Sequence, residues 1–199
     1  MRFTFPVAAF VGFASLTHAT EPAPEYCPLG EKMEWVMEVK FISPNGNVET
    51  TTGHRRLVQK ESWGGKDYFI EQSWTDRGGG GDGVQRYIRK DESGVFTYNP
   101  NFTDEGQQKI VVLPLVVGSS WTHLDVPIHV KSTVVGTESL AIAGTTYENC
   151  FHIHVTWKNG SRTEDYWEAP TVGTVKSEIA YQSGRKEIWT LREFKAGKK

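Results

Sequence analysis

Apolar and polar residues alternate along most of the chain. In the first such stretch, Trp35, Met37, Val39 and Phe41 share one phase, and two of the three residues between them are charged. Successive side chains of a strand point to opposite faces, so this pattern predicts a strand with one buried face. Residues 43–47, which include Asn-Gly, favour a hairpin turn after it. No window of about 11 residues has the spacing of a capped amphipathic helix.

The same alternation predicts further strands, separated at most joints by Gly or Pro. These strands are residues 51–60, 67–75, 84–90, 95–98, 109–113, 121–135, 139–143, 149–157, 162–168, 174–181 and 186–194. Many short strands with close turns are typical of an all-β fold, here an antiparallel meander. We expect it to form a curved sheet, half-barrel or barrel, with a sandwich as the remaining alternative.

Three landmarks of the first half recur in the same order in the second half. They are a Pro-Leu pair with a later Trp (Pro28, Leu29, Trp35 and Pro114, Leu115, Trp121), a Trp at a strand end (Trp74 and Trp157), and a Tyr followed by Gly (Tyr87, Gly94 and Tyr166, Gly173). This order predicts an internal duplication, with half-repeats at about residues 27–105 and 110–199. Neither half need fold alone, because a few strands must bury their apolar face against something.

The first 19 residues have the three parts of a secretory signal. Arg2 gives a basic start, residues 5–16 are apolar, and Thr17 and Ala19 are small residues before a cut after Ala19. The apolar run is shorter than the roughly 20 residues that span a bilayer, which disfavours a retained membrane anchor. We expect residues 20–199 to be one soluble β domain in the periplasm or outside the cell.

The chain has two cysteines, and both lie beyond the predicted cut. In an oxidising compartment, Cys27 and Cys150 are the only intramolecular disulfide available. A loop of that length would contribute about 4 kcal/mol in the chain-entropy model. The alternative is two free thiols, one of them partly buried.

The second half carries a series of short motifs. They are Leu113-Pro114-Leu115 with Gly118 and Trp121, Ala143-Gly144-Thr145 before Asn149-Cys150, and Ala169-Pro170 with Val172-Gly173 before Lys176-Ser177-Glu178. In this series the chain resembles a large group of poorly characterised bacterial secreted proteins and lipoproteins, over about residues 110–195. It departs from them in lacking a lipobox before Cys27 and in having Thr171 where Gly is usual.

The resemblance implies a curved antiparallel sheet, distantly similar to lipoprotein carriers and other lipid-binding half-barrels, in a cell envelope. It implies no catalytic residues. Composition adds two exclusions. The 22 Lys and Arg against 24 Asp and Glu leave a net charge of −2, without the basic excess of nucleic-acid or acidic-membrane partners. The 12% aromatic content is too high for a disordered chain.

A metal-site hypothesis rests on residues 150–154. Cys150, His152 and His154 alternate on one predicted strand, so they present sulfur and imidazole on one face, as zinc or copper sites require. His123 and His129 would add ligands only if their strands neighbour this one.

The predicted repeat disfavours that site. Aligning Trp157 with Trp74 places His152 and His154 on the mixed, solvent-facing side of the strand, and Ile153 with its same-phase neighbours on the core side. Metal binding is therefore the third hypothesis for function.

No catalytic motif is present in the sequence. The glycine-rich residues 78–83 lack the Gly-Lys-Ser/Thr of a phosphate loop and are expected to be a flexible connection. Glu164 and Asp165 are adjacent on a strand and face opposite ways, so they do not form an acid/base pair. We expect a protein that is not an enzyme and needs no cofactor.

Tryptophan is the residue type that suggests a ligand. Most of the seven Trp lie in alternating strands and are expected to fill the core. Trp63, beside Gly64, and Trp167, just before Ala169, are expected to be the most accessible and are the candidate ligand residues.

The resulting hypothesis is an exported, non-enzymatic envelope protein that binds a lipid or another small apolar ligand in the hollow of a curved sheet. The alternative is an envelope interaction protein that recruits a protein or glycan through its outer face or edge strands. A metal-binding protein using Cys150, His152 and His154 is the third hypothesis.

Overall fold

The computed structural model describes residues 25–78, 84–98, 107–123 and 129–197. These contain antiparallel strands and one short 3-10 turn, Asp76–Gly78. The strands are β1 (Glu34–Ile42), β2 (Val48–Trp63), β3 (Lys66–Thr75), β4 (Val84–Asp91), β5 (Gly94–Tyr98), β6 (Gln107–Val112), β7 (Ser120–His123), β8 (Val130–Ile142), β9 (Thr145–Trp157), β10 (Arg162–Ala169), β11 (Gly173–Tyr181) and β12 (Lys186–Lys195). The predicted all-β meander is confirmed.

All twelve strands belong to one sheet, in the order β6-β5-β4-β3-β2-β1-β12-β11-β10-β9-β8-β7. The first and last strands pair at its centre, and β6 and β7 are its edges. The Trp121 indole N–H in β7 donates to the Ile110 carbonyl oxygen in β6 at 3.0 Å, so the sheet curls into a nearly closed barrel. No helix among the described residues is long and apolar enough to cross a membrane.

The predicted strands at 121–135 and 139–143 are wrong in their boundaries. Strand β7 ends at His123, and β8 runs from Val130 through Gly136 to Ile142. Gly136 does not end the strand, because register shifts on either side of it keep β8 paired with β9. The chain turns instead at Ala143 and Gly144, which both have positive φ.

The inner face of β1 matches its pattern in the sequence. Trp35, Met37 and Val39 are buried, and Phe41 packs against the same core. The Trp35 indole N–H donates to the Val172 carbonyl oxygen at 2.8 Å, which ties β1 to the turn before β11. Burying the indole thus also satisfies its one donor.

The Trp, Tyr and Gly landmarks of the predicted duplication lie on strands of matching rank in the two six-stranded halves. Trp35 and Trp121, in β1 and β7, both face the interior. Trp74 packs outside against His54, whereas Trp157 lines the interior. Tyr87 likewise packs outside, against Trp63, whereas Tyr166 lines the interior. The duplication stays a prediction, and the alignment of Trp74 with Trp157 does not preserve the face of the sheet.

Some predicted features lie outside the described residues. They are the signal sequence at 1–19, most of the glycine-rich segment at 79–83, and the segment between the half-repeats at 99–106.

Thr171, at the position where the resembling proteins usually have Gly, adopts φ 64°. The left-handed region costs an L-residue about 1–2 kcal/mol, and β-branched residues are the least suited to it. We expect Thr171→Gly to raise the free energy of unfolding by about 1 kcal/mol, after the extra entropy of Gly in the unfolded chain. Urea unfolding measures this. Thr137→Gly, in β8 where φ is negative, is the control and should lower stability instead.

Gly53 in β2 has no side chain, and Val39 and Trp189 pack into the space that a side chain would occupy. A Cβ there would lie 2.6 Å from Val39 Cγ2 and closer still to the Trp189 ring, whereas a Cβ at Gly136 would meet nothing within 4 Å. We expect Gly53→Ala to destabilise the fold by about 2–3 kcal/mol in urea unfolding, because of overpacking. Gly136→Ala should leave stability within about 0.5 kcal/mol of the parent. Equal effects of the two changes would contradict this account.

Candidate functional site

A cavity of about 300 Å³ lies between the inner faces of the barrel. Part of its wall is apolar, and these residues come from β4, β5, β6, β8 and β9. They are Ile88, Val95, Ile110, Val111, Val130, Ile153 and Val155. The apolar wall therefore lies on both sides of the seam between β6 and β7.

Charged side chains form a second part of the cavity wall. Arg55 comes from β2, Arg86 from the start of β4, and Arg162, Glu164 and Glu168 from β10. Interiors of small barrels are usually filled by apolar side chains, so this mixture is unusual. The cavity is amphipathic.

Glu71 is buried behind this wall and holds two of the arginines. Its carboxylate oxygens lie 2.7 Å from Arg55 Nε and 2.5 Å from Arg86 Nε. Burial alone would raise the pKa of Glu71, but the two guanidinium groups outweigh it and lower the pKa to about 2. Glu71 is thus an anion at neutral pH and fixes both arginines against the wall.

Glu164 anchors the polar side of β10. One of its oxygens lies 2.5 Å from Arg162 Nε and accepts the Trp157 indole N–H at 2.8 Å, while the Tyr166 hydroxyl donates to the other. Burial raises the pKa of Tyr166 well above its usual range, and the neighbouring carboxylate adds to the shift. The phenol therefore keeps its proton and acts as a donor.

Glu168 lies at the other end of the cavity, beside the N-terminal segment, residues 25–29. The Thr174 hydroxyl donates to one of its oxygens, and the Cys27 thiol lies 3.6 Å from the other. Burial raises the pKa of Glu168. Burial also raises the pKa of the Cys27 thiol, with Glu168 next in effect, so Cys27 is an uncharged thiol.

The N-terminal segment closes that end of the barrel. Lys90 Nζ in β4 donates to the Tyr26 carbonyl oxygen at 2.6 Å, and the Tyr26 hydroxyl donates to the Asn149 carbonyl oxygen in β9 at 2.9 Å. The segment is thereby fastened to both halves of the sheet, and Cys27 and Leu29 line the cavity.

The disulfide considered from the sequence is not formed. Cys27 and Cys150 are both free thiols. Cys27 faces the cavity, whereas Cys150 shares the strand phase of His152 and His154 and donates to the Tyr147 carbonyl oxygen at 3.3 Å. Each thiol therefore has its own oxygen acceptor.

The two histidines of β9 face outward, as predicted, and Ile153 faces the core. His152 Nε2 and His154 Nδ1 lie 2.7 and 2.8 Å from the same oxygen of Asp165. Among the described residues, no group of three or more His, Cys, Asp or Glu is arranged to hold a metal ion. Because Asp165 contacts these outward-facing histidines and Glu164 lines the cavity, the two adjacent residues face opposite ways, as predicted.

His123 and His129 do not join this pair. His123 lies in β7, two strands from β9, and lines the cavity, while His129 precedes β8. Burial lowers the pKa of His123, which favours the neutral ring. Its buried Nδ1 has no hydrogen-bond partner within the described ranges.

Trp63 is accessible as predicted, and Trp167 is not. Trp63 is 41% exposed and packs on the outer face, with its ring 5.7 Å from that of Tyr87. Trp167 is only 7% exposed because His152 stacks on it at 4.6 Å and Glu138 accepts its indole N–H. The prediction of an accessible Trp167 is wrong.

Neither Trp63 nor Trp167 lines the cavity, whereas Trp35 and Trp157 do. Sequence reasoning also missed the charged groups of the wall. A signal for them exists: Glu71 has the strand phase of Phe69, and Arg86 has that of Ile88. A charged residue in an apolar phase indicates a buried ion pair, although charged side chains are usually assumed to face solvent.

The fold and site define a nearly closed antiparallel β-barrel with an amphipathic interior cavity. Among solved structures, the chain is similar to a Bacteroides fragilis protein described as exported, with a YmcC-like fold. The identity is 10% and the TM-score 0.49, over 87% of this chain and 100% of that one.

A protein of Parabacteroides distasonis described as a lipoprotein is similar at 14% identity and a TM-score of 0.38, over 84% of this chain and 97% of that one. No family model matches the chain, and no curated protein matches its sequence. With TM-scores below 0.5, these likenesses decide nothing about ligand or activity.

Two matched substitutions test the charge arrangement. Glu71→Gln leaves two arginines without their buried anion, so we expect a loss of about 3 kcal/mol in urea unfolding at pH 7. The pKa of Glu71 lies below its ordinary value of 4.5, so its contribution is full above about pH 4.5 and is lost as the pH falls toward 2. Stability of the variant should therefore change less than that of the parent across this window.

Glu168→Gln is the control for that measurement. Its pKa is raised by burial, so the fold penalises the charged form, and the amide can still accept from Thr174. We expect equal or higher stability at pH 7. Equal losses at both positions would contradict the assignment of Glu71 as the organising anion.

Proposed function

We propose that this protein is an exported binding protein that holds a small amphipathic ligand inside the barrel. The cavity carries the proposal, because it pairs an apolar wall with a charged one in a space that the side chains of the described residues leave open. Binding sites for small molecules are of this kind: concave, mostly apolar and supplied with a few placed polar groups.

The size of the cavity limits the ligand. A volume of about 300 Å³ is at the lower end of the range of small-molecule sites, roughly 300–1,000 Å³. One acyl chain or an equivalent hydrocarbon suits this space, and a whole lipid with two chains does not. The proposed ligand is thus a single-chain molecule, which is a smaller class of ligand than the lipids and other apolar molecules expected from the sequence.

A binding role without catalysis agrees with the state of the polar groups. Glu71 and Glu164 are each held by arginine, and Glu168 by the hydroxyl of Thr174. Groups fixed in this way are preorganised for recognition, since little side-chain freedom is lost when a ligand enters. Export rests on the signal sequence predicted at residues 1–19.

The alternative function is recruitment of an envelope partner through the outer surface. Val116, Val117 and Val135 are 55%, 53% and 48% exposed. The Gly118 N–H donates to the Val134 carbonyl oxygen at 2.8 Å, which brings the loop that carries Val116 and Val117 against β8. This patch gives the alternative a location, but it does not account for the cavity.

A cavity-filling substitution tests the binding role. Val155 is buried in the apolar wall, so Val155→Phe places a ring in the cavity. Val135→Phe, on the outer surface, is the matched control. After export to the periplasm and purification, we expect native mass spectrometry to find a bound small molecule on the parent and on Val135→Phe, and much less on Val155→Phe.

The fluorescent amphiphile 1-anilinonaphthalene-8-sulfonate provides the second readout. We expect its affinity to fall at least about tenfold in Val155→Phe, a loss of about 1.4 kcal/mol. Circular dichroism confirms that the variant is folded. Absence of a bound molecule, together with equal dye binding by parent and variant, overturns the proposal.

A further inference from the structure

Two arginines at the rim of the cavity, Arg86 and Arg162, are partly exposed. The side chains of Arg86 and Arg162 are 45% and 32% exposed, whereas those of their partners Glu71 and Glu164 are 2% and 7% exposed. Each guanidinium meets its carboxylate through Nε. A guanidinium has five N–H donors, and the four on its terminal nitrogens are not used in these Nε contacts.

Arg86 and Arg162 line the same cavity from two different strands. Arg86 is in β4 and Arg162 in β10, and both interact electrostatically with the Tyr166 hydroxyl. That hydroxyl is already committed as a donor to Glu164. A group bound above Tyr166 would therefore face the arginines rather than the phenol.

The apolar wall begins beside these arginines. Ile88 follows Arg86 in the same phase of β4, and Val155 is the register partner of Glu164. The wall includes Val95, and Cys27 and Leu29 of the N-terminal segment line the same cavity. A ligand with one charged end and one hydrocarbon end can thus satisfy both regions at once.

The charge balance of the site favours an anion. Three arginines, Arg55, Arg86 and Arg162, line the cavity against two carboxylates, Glu164 and Glu168, while Glu71 is buried behind the wall. Cationic side chains near a partly buried site favour carboxylate or phosphate, which arginine can bind through two parallel N–H groups. His123, whose Nδ1 has no hydrogen-bond partner among the described residues, lines the same cavity.

We propose that Arg86 and Arg162 bind the carboxylate or phosphate head group of a single-chain amphiphile whose tail lies along the apolar wall. This inference rests on the proposed function and specifies the chemistry of its ligand. It also orients the ligand, with the head at the rim beside Arg86 and the tail directed toward Val95 and the N-terminal segment.

The test compares four probes with the same ten-carbon tail: decanoate, decyl phosphate, 1-decanol and decylamine. Isothermal titration calorimetry of the full protein at pH 7.5 measures their affinities, with each probe kept below its micellar concentration or, for decanol, its solubility limit. We expect the two anions to bind about tenfold or more tighter than decanol, and decylamine to bind most weakly, because arginine forms charge-assisted hydrogen bonds with an anionic head group and repels an ammonium group. The ratio of decanoate to decyl phosphate affinity distinguishes the two head groups.

Arg86→Gln and Arg162→Gln identify the residues responsible. Each should weaken decanoate at least about fivefold and leave decanol within twofold, and added salt should reduce the difference. Arg192→Gln is the matched control, because it removes the same charge from a residue that pairs with Glu38 on the outer face. It should change neither affinity.

The outcomes separate this inference from the function on which it rests. If decanol and decylamine bind as tightly as decanoate, or if both rim variants bind decanoate like the parent, the head-group assignment is overturned and the cavity function stands. If none of the four probes binds while the dye still does, the single-chain class is wrong. If neither the probes nor the dye bind the parent, the proposed function fails as well.

Discussion

The ion pairs of Glu71 with Arg55 and Arg86 connect three adjacent strands inside the barrel and hold a charged wall where an apolar core is usual. A barrel of about eight strands has an interior that side chains can just fill, and twelve strands enclose a larger space. Burying the Glu71 carboxylate costs several kcal/mol, and that cost is recovered only when both arginines and their hydrogen bonds are in place. The wall is therefore fixed by its own pairing, and the space beside it stays open.

This arrangement explains why one barrel can have both a firm fold and a cavity. The apolar clusters near Trp35 and near Val130 pack on either side of the open space. The N-terminal segment closes one end, and the rim arginines lie at the charged wall. An amphipathic molecule would complete the packing that the strands leave unfinished, which supports a binding role over a purely structural one.

Strand content was predictable because each strand has one buried face, and alternation records that face in the residues. The β1 pattern is an example, since Trp35, Met37 and Val39 are buried as expected. The joint at Gly136 was misjudged, because paired bulges can carry a strand past a glycine. Trp167 was misjudged for another reason: residues distant in sequence, such as Glu138 and His152, cover it.

The candidate site was less predictable than the fold. The sequence pointed to Trp63 and Trp167, and the cavity is instead lined by Trp35 and Trp157, with arginines and glutamates between them. The sequence alone does not show which residue pairs with a charged side chain that lies in an apolar phase. Its counter-ion lies on a neighbouring strand, so only the register shows that Arg55 and Arg86 both meet Glu71.

The sequence by itself determined an all-β meander, the inward phase of β1, the outward phase of His152 and His154, and a predicted export signal. These properties depend on local alternation and composition, which are complete in the residues. The tertiary structure alone decided the central pairing of β1 with β12, the near-closure of β6 on β7, the separation of the two thiols and the charged wall of the cavity. Each of these depends on contacts between residues far apart in the chain, and their pairing follows from how the whole sheet curls.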